Sequence, residues 1–141
     1  MRLPAASIAA AILLLSGARS QAADFNVDST LDQIDAMPGD GICATVGGDC
    51  TLRAAVIEAN QFPGPDTIFV PAGTGETDAL TGDLNVSEAV SIRGAGAGVT
   101  TLDGNGLDAV LSLWSGSEIL SSAAIEISDL TITGGSPTGV S

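Results

Sequence analysis

Leu52, Ala55, Val56 and Ala59 stand at i, i+3, i+4 and i+7, the spacing of one apolar helix face. This pattern predicts a helix over 52–60, with Thr51 as its N-cap and Arg53, Glu58 and Asn60 pointing away from that face. Pro63 and the Gly64-Pro65 pair forbid continuation, and a helix of about nine residues is stable only when docked on something else. Elsewhere the period is two. Phe25-Asn26-Val27 suits a first strand, and Asp66-Thr67-Ile68-Phe69-Val70 a second that stops at Pro71, with Phe25 and Phe69 both read as core. Between Asp32 and Asp49 there is no periodicity; Pro38-Gly39-Asp40-Gly41 marks a tight turn in a loop.

After Pro71 the pattern becomes a series of short apolar pairs bounded by Gly, Asn or Asp: Leu84 and Val86, Val90 and Ile92, Val110 with Leu111 and Leu113, Ile125 and Ile127, Leu130 and Ile132. Short strands with turns between them fit a sandwich. The starts at 90, 110 and 130 argue instead for a repeat near twenty residues, with Leu84, Leu102 and Ile125 as a second series beside it. Such periods belong to solenoids, in which alternate side chains form stacked apolar ladders and Gly, Asn and Asp take the corners. Residues 84–135 hold about two and a half turns of that length, whereas stacked repeats generally need at least three. The expectation is that the chain is the N-terminal piece of a longer protein, or that another chain covers its last coil.

Five pieces in order carry a resemblance: Pro38-Gly39-Asp40-Gly41-Ile42-Cys43, Cys50-Thr51-Leu52-Arg53, Glu58-Ala59-Asn60, Pro63-Gly64-Pro65-Asp66-Thr67-Ile68 and Ile92-Arg93-Gly94-Ala95-Gly96. Together they resemble the CSLREA-type domain at the start of secreted and surface-attached right-handed parallel β-helix (pectate-lyase-like) proteins. The resemblance implies an all-β solenoid start with a short capping α-helix (Thr51, Leu52, Arg53, Ala55, Val56, Ala59) and a disulfide-bonded loop. It divides the chain into a leader, 1–23, a capping region with the first strands, 24–71, and first coils, 72–141. One position departs from the family, which usually has Glu where this chain has Ala54. That Glu would complete a capping box with Thr51, so half of the box is kept and a frayed first turn is expected.

Residues 1–23 read as a secretory signal peptide, with Arg2 as the positive start and an apolar run from Ala5 to Leu15. Ser20-Gln21-Ala22 or the following Ala23 supplies the small-residue cleavage site. Eleven apolar residues are too few to span about 30 Å of hydrocarbon, so no transmembrane segment is expected. Export makes a disulfide the default for Cys43 and Cys50, the only cysteines, whose spacing is not that of a Cys-x-x-Cys redox motif.

Beyond Ala23 two arginines face all 17 acids, a net charge of −15 that excludes nucleic acid as a partner. There is no lysine and no histidine, which removes Schiff-base chemistry, the commonest general base and the commonest transition-metal ligand. No other cofactor is expected. Calcium takes oxygen ligands, so Asp35 and Asp40 in the first loop, with Asp103 and Asp108 in the second, are its candidate ligands, although neither loop has EF-hand spacing. Arg93, in the glycine-rich Gly94-x-Gly96-x-Gly98 stretch, is read as bonding corner carbonyls or pairing with an acid of the adjoining coil. Trp114 is the single candidate for an exposed ring, a poor platform for polysaccharide. The expected function is an exported structural, adhesive or display protein. The alternatives are a polysaccharide lyase or hydrolase with its active site on later coils, and a calcium-dependent interaction module.

Overall fold

The computed structural model describes residues 21–76, 83–106, 109–113 and 124–136, with 74–76 described as backbone alone. Most of the leader, 1–20, together with Asp108 and Trp114, lies outside the described residues. The chain is mostly strand with one helix among the described residues: β1 Asp24–Asn26, α1 Leu52–Gln61, β2 Asp66–Phe69, β3 Gly73–Glu76, β4 Leu84–Val86, β5 Val90–Arg93, β6 Thr100–Asp103, β7 Leu111–Leu113, β8 Ile125–Ser128 and β9 Thr131–Thr133. The predicted helix is therefore present, one residue longer than expected, with Thr51 as its cap.

Among the described residues every strand pairing is parallel, in three sheets ordered β1-β2-β5-β8, β3-β6-β9 and β4-β7. From β2 onward the chain visits these sheets in a fixed cycle, first, second, third, and then begins again. Parallel neighbours must be joined by a long return, and here the return passes through the other two sheets. The register places like on like: Phe25 opposite Ile68, Ile68 opposite Ile92, Ile92 opposite Ile127. Leu84 faces Leu111, and Leu102 faces Ile132.

The twenty-residue spacing is not the structural repeat. Asp66 pairs with Val90, 24 positions on, Leu84 with Leu111, 27 on, and Val90 with Ile125, 35 on. Val90, Val110 and Leu130 belong to or precede strands of three different sheets, because the connections differ in length while the strands do not. Phe69 also departs from expectation: it is 40 % exposed, since strand alternation turns Ile68 inward and its neighbour out.

Burial falls away from α1, which packs on β4 and β2. Ile68 and Ile92 are fully buried and Ile127 only partly; Leu102 is 0 % exposed against 47 % for Ile132, and Val86 0 % against 56 % for Leu113. The glycine-rich stretch after β5 is a turn leading into β6. A Cβ at Gly94 would run into the Asp129 carbonyl, so only glycine lets the two segments approach this closely. Arg93 lies 4.0 Å from Glu126 of the adjacent strand, an exposed pair of the kind expected and of little energetic weight.

Candidate functional site: the N-terminal cap

Polar groups converge at α1 and the loop 32–49 that precedes it. Thr51 caps the helix, its Oγ1 accepting from the Ala54 N–H at 3.0 Å while donating to the Gln33 carbonyl at 2.6 Å. One hydroxyl thus starts the helix and holds the loop against it. Ala54, where the resembled family has Glu, is completely buried. Cys43 and Cys50 are bonded, closing the outer part of the loop.

Two charged residues of α1 that point away from the apolar face are nonetheless buried. Arg53 is 6 % exposed and grips Asp32 with two nitrogens, Nε to Oδ1 at 2.5 Å and Nη2 to Oδ2 at 2.9 Å, and donates from Nη1 to the Asp83 carbonyl at 3.2 Å. Glu58 is 0 % exposed and accepts from the Gly39 N–H at 2.6 Å and from the Gly41 N–H. Gly39 and Gly41 both have positive φ, which lets successive loop N–H groups face one carboxylate. The Gly-x-Gly turn was the available sequence signal for an anion, but the helical pattern weighs only apolar residues. Asn60 completes the set: its side chain donates to the Asn85 carbonyl at 2.7 Å and accepts from the Ser87 N–H at 2.9 Å, tying α1 to β4.

Three of the four acids named for calcium, Asp35, Asp40 and Asp103, accept from backbone N–H groups; Asp108 lies outside the described residues. Asp35 spends both oxygens on the N–H groups of Met37 and Ala44, Asp40 accepts from the Ile42 N–H, and Asp103 from the Asn105 N–H. Among the described residues no three acids or other metal-binding side chains come together. Among the described residues two clefts flank the cap, about 180 Å³ beside the irregular segment 27–32 and about 340 Å³ between α1 and β4. Arg53 borders both and is committed to Asp32 and Asp83. Among the described residues no helix is long and apolar enough to cross a membrane.

Asp66, at the start of β2, is 1 % exposed; Oδ1 accepts from the Ala23 N–H at 2.8 Å and Oδ2 has no partner. Desolvation pushes its pKa above the ordinary 3.8, helped by the charges of Glu58 and Asp24 and opposed by the Ala23 hydrogen bond. A raised carboxyl pKa means that the folded state holds a proton the unfolded state has lost. With the peptide bond before Ala23 intact, stability is therefore expected to fall as pH rises through the folded-state pKa. Thermal melts of the full chain from pH 4 to 7 check this, and Asp66→Asn should flatten the decline.

The disulfide closes a short loop, with the cysteines separated by seven positions. Replacing both by Ser is expected to cost about 2.5 kcal/mol on the chain-entropy account, measurable by denaturant unfolding with and without reductant. Comparison with known proteins returned no matching family, curated protein or solved structure.

Proposed function

We propose that this chain is the exported, capped N-terminal region of a right-handed parallel β-helix of the CSLREA type, with a structural, adhesive or display role. The observation that carries the reading is the gradient of burial. The apolar ladder Phe25, Ile68, Ile92, Ile127 is sealed at the end where α1 lies and opens toward β8 and β9. The cyclic order of the sheets supports winding into coils, and the buried polar contacts of the cap are spent on holding the lid. A lid at one end hides strand edges that would otherwise template association, and coils can stack outward from it. The partners this implies are downstream coils of a longer chain, or another chain, at the β8 and β9 edge, with polysaccharide as the ligand class.

The test is secretion from an exporting host, followed by assay of the exported protein on acidic polysaccharides. The reading expects loss of the leader, an intact Cys43–Cys50 bond and, at most, binding without chain cleavage. Depolymerisation, with unsaturated or reducing ends appearing, would replace the scaffold reading with a lyase or hydrolase.

A further inference from the structure

Asp66 is a buried carboxylate whose surroundings do not account for its charge. Among the described residues, both charged groups that act on it, Glu58 from α1 and Asp24 from β1, are anionic, Oδ2 meets no donor, and the single hydrogen bond to Oδ1 comes from the nitrogen of Ala23. That nitrogen lies at the predicted end of the leader. Signal peptidases require small residues at two positions before the cut, and Ser20 with Ala22 meets this requirement, whereas a cut after Ala23 would place Gln21 in the outer position. The structure separates the two choices further. Ala23 also accepts from the Thr67 N–H at 2.8 Å, so a cut after Ala23 would strip β2 of that acceptor and Asp66 of its only donor.

We propose that the exported chain begins at Ala23 and that its new α-ammonium, itself only partly buried, forms an ion pair with the buried carboxylate of Asp66, so that removal of the leader itself completes the cap. The inference rests on the export reading above. In the step, water hydrolyses the Ala22–Ala23 amide under a signal peptidase. Ala22 leaves with the leader as a carboxylate, and the freed amine of Ala23 takes up a proton. A single N–H donor thereby becomes a cation with three, 2.8 Å from a carboxylate that has an acceptor to spare. Residues 21 and 22, which in the uncleaved chain cross closely over Gly64 and bond through the Gln21 N–H to the Pro63 carbonyl, are released.

The absence of lysine makes the test clean, because the α-amine is then the only primary amine in the processed protein. The full chain is secreted from an exporting host, its intact mass is measured, and the product is treated with an amine-acylating reagent at several pH values, folded and in guanidinium. The expected mass corresponds to residues 23–141. Each unit by which the ion pair raises the amine pKa lowers the reactive neutral fraction about tenfold, so folded protein should label at least about tenfold more slowly than unfolded. Asp66→Asn should restore rapid labelling; should that variant fail to fold, the upward-shifted pH profile of the wild-type rate carries the same information. Export with a different first residue overturns this proposal alone, as does labelling of the folded protein at the unfolded rate. A leader retained on unexported protein overturns the export reading as well.

Discussion

Arg53→Ala is expected to destabilise the protein by about 3–5 kcal/mol, the cost of leaving one member of a buried ion pair behind. Both side chains of the pair are only 7 % exposed, and the guanidinium also ties the cap to the Asp83 carbonyl. Removing the cation strands Asp32 in a poorly solvated place. The loss should therefore reflect Asp32 more than the attraction between the two, and the double variant Asp32→Asn, Arg53→Ala is expected to recover part of it. Urea unfolding of the four proteins of this cycle measures the coupling directly. If the double variant is as unstable as the sum of the single ones, the pair is not the source of the effect.

Val56→Asp is expected to cost about 3 kcal/mol or more, because it puts a charge on the buried face by which α1 packs on β2 and β4. Val56 is 3 % exposed and belongs to the same core cluster as Ile68 and Leu84. Opening the lid also uncovers apolar surface and strand edges, so the variant should associate at concentrations where the wild type does not. Thermal melts and sedimentation equilibrium read the two consequences separately. Val56→Ala, which shortens the side chain without charging it, should weaken the fold by less and leave association unchanged.

Much of the fold was legible because local rules and burial agree there. The helix, its Thr51 cap and its stop before Pro63 follow from residues close in sequence, and the structure has all three. Strand β2 and the pairs Leu84/Val86, Val90/Ile92 and Ile125/Ile127 were equally readable from alternation, each now on a strand. What failed was the count from strand to strand. A ladder fixes which residues oppose each other, but it does not fix the length of the connection, and the connections here vary enough to hide the true partners, 43 positions apart between β1 and β2, 24 between β2 and β5 and 35 between β5 and β8.

The cap was only half legible, for a different reason. Apolar periodicity identified Leu52, Ala55, Val56 and Ala59, all of them buried, and placed Arg53 and Glu58 off that face without saying what they meet. Each of these charged residues is buried with partners far along the chain, Asp32 for one and the Gly39 and Gly41 amides for the other. Long-range pairing of this kind leaves no spacing to read. Their place in one loop suggests Asp35 and Asp40 as candidate ion ligands; in the structure Asp35 accepts from backbone N–H groups through both oxygens and Asp40 through one.

Residue-resolved native-state hydrogen exchange, on the wild type and on Val56→Asp, tests most directly whether α1 is the lid of a stack. Stability that propagates from neighbour to neighbour predicts slow exchange in β2 and β5, faster exchange in β8 and β9, and a loss of protection in the variant that is greatest at β2 and diminishes toward β8. Equal protection across β2, β5 and β8 in the wild type, with β2 unchanged in Val56→Asp, would contradict it.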